Sequence, residues 1–209
     1  MLITRSVLFW DFDGVIKESV SVKTEAFTRL FAPFGEEVAA RVRQHHERNG
    51  GMSRFEKIPL YLEWAGAANG PDAVARYCDL FSDAVRQAVL DSAWVPGVWS
   101  YLEVNHARQR FVLVTATPQA EIEDIARALG IARWFREIHG APTKKGDAVT
   151  SVLARWGCRP AECLLIGDSG ADLAAARSAG VEFLLRRTEL NRDLQHTYQG
   201  PQCEDFASG

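Results

Sequence analysis

The chain has 209 residues, 47% hydrophobic and 24% charged, which is enough apolar material for a core and too little charge for a disordered type. Its net charge of -3 excludes an electrostatic case for nucleic acid or an anionic membrane surface as partner. No apolar run nears the length of a bilayer span and the N-terminus enters a strand almost at once, so a cytoplasmic protein without a signal peptide is expected.

Val7-Leu8-Phe9-Trp10 is a short unbroken apolar run, the pattern of a strand buried on both faces in a parallel sheet. Asp11 and Asp13 follow at alternating positions, and Gly14 marks the expected turn. Carboxylates at the end of such a strand stand where open α/β sheets place their active sites. One alone reads as a turn or cap aspartate. Two, able to approach one centre from different positions, suit a nucleophile or metal ligand beside a separate proton-transfer group.

Residues 17 to 92 show helical periodicity and no convincing strand. Helices are predicted from Val20 to Phe34 and from Glu37 to Arg48. Ser53-Arg54-Phe55-Glu56 has the form of a capping box that starts a third, and Pro59 predicts a kink or broken turn inside it. Gly70-Pro71 opens a fourth, with Val74, Cys78, Phe81, Val85 and Val89 along one stripe. Pro96-Gly97 then returns the chain to the core. A helical insert placed after the first strand can cover the site as a lid.

From about residue 110 the pattern alternates strand and helix. Phe111 to Val114 reads as a buried strand, followed by a helix with Ile122, Ile125, Ala126 and Leu129 at helical spacing. Thr117 is its expected N-cap, Pro118 its first residue and Gly130 its stop. A short strand near Phe135 to His139 precedes a second amphipathic helix carrying Val149, Val152, Leu153 and Trp156. Cys163 to Ile166 is a further strand, Gly167 to Gly170 its turn, Ala171 to Ala179 a helix and Val181 to Leu185 a strand. Such βα alternation argues a doubly wound parallel sheet, Rossmann-like, with helices on both faces. The tail from Thr188 is polar and is expected to loop back to a last segment near Phe206. The four cysteines form no CxxC pair and no zinc spacing, which predicts free packing thiols.

Three more features fall on the same sheet edge as the Asp pair. Thr115 and Ala116 follow the strand ending at Val114, Lys144-Lys145 stands at a helix start, and Asp168 and Asp172 bracket a strand-end turn. Each alone has an ordinary reading as turn, cap or solvated charge. Together they suit phosphoryl transfer. Asp11 attacks phosphorus to form an aspartyl-phosphate, and Asp13 protonates the leaving oxygen and later activates water. Mg²⁺ is the expected cofactor, with Asp11, the Asp13 backbone carbonyl, Asp168 and Asp172 as its site. Lys145, Thr115 and backbone N–H groups near Gly14 and Ala116 are expected to hold the phosphoryl oxygens.

Asp11-Phe12-Asp13-Gly14, Thr115, Lys145 and Gly167-Asp168-Ser169-Gly170-Ala171-Asp172 resemble, in order, the four motifs of the haloacid dehalogenase-like hydrolases. The helical insert resembles the cap of the phosphoglycolate phosphatase and β-phosphoglucomutase branch. The resemblance implies an α/β core formed by residues 1–16 and 93–209 and an all-helical cap domain formed by residues 17–92. It implies a Mg²⁺-dependent phosphatase for a small phosphorylated metabolite, a sugar phosphate among the options. The presence of Asp13 separates the chain from the dehalogenases proper and from phosphonate-cleaving members. Helical spacing favours Lys145 over Lys144 as the phosphate-binding lysine. His46, Gly51 and Arg54, in a segment where Gly50-Gly51 permits a tight turn, are the cap residues expected to meet substrate, with Lys57 nearby. A phosphomutase of the β-phosphoglucomutase type uses the same residues and stays an alternative; a phospho-receiver and a catalytically silent binding protein are alternatives of another class. The expected partner is a small phosphate ester, with the chain a monomer or homodimer.

Overall fold

A computed structural model describes residues 4–207. The apolar run forms the central strand β1 (Val7–Trp10), and all of its residues are buried. Its side chains alternate between two cores: Leu8 and Trp10 join one cluster, Val7 and Phe9 the cluster on the opposite face. A strand with no solvent face has no place for a polar residue, which is why the run is unbroken. Burying each large side chain of this kind contributes roughly 1.5–3 kcal/mol, so β1 ties the layers together.

The remaining strands are β2 (Arg110–Pro118), β3 (Phe135–Ala141), β4 (Cys163–Gly167), β5 (Glu182–Arg186) and β6 (Gln202–Cys203). All pair in parallel, in the order β3-β2-β1-β4-β5-β6. The chain builds outward from β1 on one side through β2 and β3, then crosses over to build the other side from β4. The carboxyl ends of β1, β2 and β4 meet at that reversal, the usual ligand crevice of an open sheet.

Helices cover both faces. Helices α1 (Val20–Phe31), α2 (Glu36–Arg48), α3 (Arg54–Trp64) and α4 (Pro71–Asp91) form the insert, and α5 (Val98–Asn105) re-enters the core. Helix α6 (Gln119–Ala128) packs its Ile122, Ile125 and Ala126 on the Trp10 face. Helices α7 (Lys145–Trp156) and α8 (Gly170–Ala179) cover the Phe9 face with Val149, Val152, Leu173 and Ala176. Inside the insert, Phe27 stacks on Phe81 at 3.8 Å and meets Tyr61 edge-on at 5.5 Å. After a short α9 (Arg192–Thr197), the tail returns to the core, with the Phe206 ring 5.2 Å from Trp10.

Several local expectations change. The first insert helix ends at Phe31 and tightens into a 3-10 turn, Ala32–Phe34, because Pro33 can neither donate its hydrogen bond nor tolerate a helical neighbour before it. Helix α3 runs unbroken through Pro59, and the carbonyl left without its donor belongs to Phe55, an exposed residue. Thr117 is not a helix cap: β2 continues to Pro118 and α6 starts at Gln119. The β2 register slips between Val114 and Pro118, which carries Thr115 to Thr117 out of the regular ladder and over the crevice. Strand β6 has no clear signature in the sequence. All four cysteines are free, and among the described residues no helix is long and apolar enough to cross a membrane.

Candidate active site

Asp11 leaves β1 with its backbone N–H donated to Ile166 O of β4, which fixes the two strand ends side by side. Gly14 makes the following turn at φ +74°, and a Cβ there would stand 2.2 Å from Asp168 Oδ2. No L side chain fits that position, so the first motif is pressed against the last. Carboxylate oxygens of Asp11, Asp168 and Asp172 lie within 4.8 Å of one another.

Lys145, the first residue of α7, reaches into this cluster. Its Nζ is 2.8 Å from Asp11 Oδ1 and 2.6 Å from Asp172 Oδ1. Lys144 is the exposed residue before the helix, so the geometry selects Lys145 of the pair. Burial alone would depress the Lys145 ammonium, but the charges of Asp11 and Asp172 hold it well above its ordinary value. Asp172 is fully engaged: Lys145 takes Oδ1, while the Ser169 hydroxyl donates to Oδ2 at 2.5 Å and the Ser169 N–H at 3.2 Å. Its place is to support the lysine and the turn. Burial, followed by repulsion from Asp172, pushes Asp11 up to about 7. Burial and the charges of Asp11 and Asp172 likewise push Asp168 well up. Three acids with one ammonium among them form a site short of positive charge. The oxygen-only donor set and that deficit fit a hard dication such as Mg²⁺.

Asp13 has a different environment. Ser19 Oγ donates to its Oδ1 at 2.5 Å, and Lys23 Nζ to its Oδ2 at 2.5 Å. Burial raises its pKa, but the Lys23 charge and the hydrogen bonds from Lys23 and Ser19 win, leaving the carboxyl below its ordinary value. Lys23 also donates to Thr117 Oγ1 at 2.9 Å, and the Thr117 N–H donates to Thr115 Oγ1 at 3.2 Å. The two aspartates of the opening motif are therefore set apart: one rises toward neutrality, the other is held ionised. Environments that drive paired acids in opposite directions mark divided acid–base roles.

The insert closes over these groups. Gly51 packs so tightly that a Cβ would stand 2.5 Å from Ser169 Oγ and 2.6 Å from the Ala171 Cβ. Beneath it a cavity of about 20 Å³ is lined by Asp11, Asp13, Gly50, Gly51, Thr115, Ala116, Lys145 and Asp168. An adjoining cavity of about 30 Å³ is lined by Asp13, Lys23, His46, Arg54, Lys57 and Thr117 among others. A wider opening of about 540 Å³ reaches solvent past Thr115, Lys145, Ser53 and Phe55. A further cavity of about 550 Å³ lies by the C-terminal tail around Arg186 and Glu204 and shares no residue with the acidic cluster. Its size carries no weight against the chemistry of the small one.

Of the cap residues expected to meet substrate, Gly51 stands over the acidic cluster. Arg54 is not free: it makes a forked pair with Glu121 of α6 at 2.8 and 2.7 Å and also reaches Ser82 of α4. His46 is buried and spends its Nδ1 on Lys57 Nζ at 2.9 Å. Lys23, Ser19, Thr117 and Glu121 escaped sequence reasoning. A signal existed for part of this. Arg54, Lys57, Ile58, Tyr61 and Leu62 are all buried at i, i+3, i+4, i+7 and i+8, and Lys23 stands four residues before Phe27. Charged residues on an apolar stripe are either paired or functional.

Residues 6–180 match the family model described as haloacid dehalogenase-like hydrolase. The chain is similar to a phosphorylated carbohydrates phosphatase of Thermotoga maritima, 27% identical over 85% of this chain and 82% of the relative. It is also similar to phosphoglycolate phosphatase 1 of Pseudomonas aeruginosa, at 28% over 85% of this chain and 67% of that one. Among solved structures, CbbY of Rhodobacter sphaeroides shares the fold with a TM-score of 0.78 at 20% identity, covering 97% of this chain and 95% of that one. β-Phosphoglucomutase of Clostridium difficile does so at 0.76 and 18%, covering 98% and 92%. The motif order, the sheet and these matches agree: the chain belongs to the haloacid dehalogenase-like hydrolase family and is a phosphatase.

Proposed function

We propose that the chain is a Mg²⁺-dependent phosphatase that hydrolyses a small phosphorylated metabolite through an aspartyl-phosphate on Asp11. The observation that supports this best is the Lys145 ammonium, 2.8 Å from Asp11 and 2.6 Å from Asp172, with Asp168 completing the acidic cluster. Asp11 Oδ attacks phosphorus, an Asp11–phosphoryl bond forms, and the bond to the leaving oxygen breaks. Asp13, ionised at rest, takes the proton that a phosphate monoester monoanion brings with it, passes it to the leaving oxygen, and as a carboxylate again takes one from the water that cleaves the acyl phosphate. Lys145, the Thr115 hydroxyl and backbone N–H groups near Gly14 and Ala116 orient and neutralise the phosphoryl oxygens. Asp11, Asp168 and the Asp13 backbone carbonyl would hold Mg²⁺, with Asp172 behind them; the cation would offset repulsion between carboxylate and phosphate.

The Lys23 and Ser19 hydrogen bonds to Asp13 keep it in the state that accepts a proton from water. The Gly51 contact brings the insert down onto the acidic cluster, and the wider opening past Thr115 and Lys145 is the way in for substrate.

A panel of phosphorylated metabolites, sugar phosphates included, with Mg²⁺, on wild type and Asp11→Asn, tests the reading. Release of inorganic phosphate by wild type alone is expected. Isomerisation of a sugar phosphate without phosphate release points to the mutase. No turnover of any ester overturns the proposal.

A further inference from the structure

The ladder between β4 and β5 ends at the pair Gly167 and Leu185. One residue further on, the carbonyls of Asp168 and Arg186 meet at a single group, the side-chain amide of Asn191. Its Nδ2 donates to Asp168 O at 2.7 Å and to Arg186 O at 2.8 Å. Its Oδ1 accepts from the Thr188 N–H at 2.9 Å and from Gln195 Nε2 at 2.6 Å. Two amide hydrogens face two carbonyls and one oxygen faces two N–H groups, so the four bonds saturate the side chain. The flipped amide would set oxygen against oxygen, which fixes the orientation. Two carbonyls cannot pair with each other; a double donor placed between them can join them.

Asn191 closes the 3-10 turn Glu189–Asn191 that precedes α9. We infer that it is a positioning residue of the metal site, continuing the β4–β5 pairing by one rung and so fixing the main chain of Asp168. The inference rests on the phosphatase reading, in which the Asp168 carboxylate is a Mg²⁺ ligand, and deepens it. Asp168 lies in the bend between β4 and α8, past the last ladder pair. Ser169 and Asp172 bond to each other inside that same turn and do not tie it to the sheet. The charges of Asp11 and Asp172 repel the Asp168 carboxylate, so a loose main chain would relieve the crowding by swinging outward. Asn191 holds it in place, which keeps the three carboxylates within 4.8 Å of one another.

Calorimetric titration of Mg²⁺ into the metal-free protein, without substrate, tests this. Outer partners of metal ligands are worth about 10- to 100-fold in affinity. Asn191 bonds to the main chain of the ligand and not to its carboxylate, so Asn191→Ala should raise the Mg²⁺ dissociation constant by about tenfold, at the low end of that range. Gln195→Ala loosens the same turn from its other side without touching Asp168, and should stay within about twofold of wild type. Hydrolysis of p-nitrophenyl phosphate should show the matching split: the rate deficit of Asn191→Ala shrinks as Mg²⁺ is raised, which a merely structural defect would not do. Should Asn191→Ala not fold, wild type decides: the Asn191 side-chain NH₂ resonances should shift on Mg²⁺ titration and follow the calorimetric saturation curve. Equal Mg²⁺ affinity in wild type and Asn191→Ala, the same loss in Gln195→Ala, a deficit that Mg²⁺ leaves untouched, or NH₂ resonances that ignore Mg²⁺ overturns the inference and leaves the phosphatase reading standing. A wild type that neither binds Mg²⁺ nor needs it for turnover overturns the inference together with the Mg²⁺-dependent reading.

Discussion

Asp11→Asn should make the metal-free protein more stable while abolishing its activity. In the folded chain the Asp11 carboxyl is raised from 3.8 to about 7 by burial and by Asp172, against the pull of Lys145. A raised acid binds its proton more tightly in the folded state, so stability falls as pH climbs from about 4 to about 7 and stays low above that. Some three units at 1.36 kcal/mol each set an upper bound of about 4 kcal/mol. Asparagine removes the buried charge but keeps an oxygen that can accept from Lys145. Lys145 also loses one ionic partner, at 2.8 Å, which takes back part of the gain. A net gain of about 2 kcal/mol at pH 8 is the expectation, shrinking toward zero near pH 4. Urea titration followed by tryptophan fluorescence, in EDTA at pH 8 and pH 5, measures it. Millimolar Mg²⁺ should stabilise wild type more than Asp11→Asn and narrow the difference. An Asn variant that is less stable than wild type at pH 8 in EDTA, or a gap that ignores pH, refutes the reasoning.

Two further substitutions separate neighbours that look alike in the sequence. Lys145→Ala should lower kcat by about two orders of magnitude or more, as expected for loss of a group that stabilises phosphoryl charge, whereas Lys144→Ala, on an exposed residue, should leave kcat and KM within about twofold. Steady-state phosphate release on the two variants decides it. Arg54→Ala strands a nearly buried Glu121 and should cost about 3 kcal/mol in urea unfolding, and Arg54→Met with Glu121→Gln should recover most of that loss.

The core motifs were legible because catalysis needs particular residue types at strand ends, and strand ends are visible in a single sequence. Val7 to Trp10 carries no polar residue because both its faces are buried, and the register places Trp10 beside Leu113 and Ile166. The positions just beyond, Asp11, Thr115 and Asp168, are therefore neighbours by topology. Lys145 could be preferred over Lys144 from helical spacing, and the Gly14 turn from the residue itself. What sequence determined alone is this frame: the βα alternation, the helical insert and the chemical identity of the groups at the sheet edge.

Only the tertiary structure decided which long side chains pair. Lys23 meets Thr117 across 94 residues, Arg54 meets Glu121 across 67, and no local period encodes either contact. Arg54, which lines the cavity beside Asp13, is also a strut between insert and core, and Thr117 changes from a helix cap to part of the Asp13 network. The physical reason is the reach of these side chains. A backbone pattern reports which face of a helix is buried, but a lysine or arginine on that face can satisfy its charge several ångströms away, on any element the fold brings close.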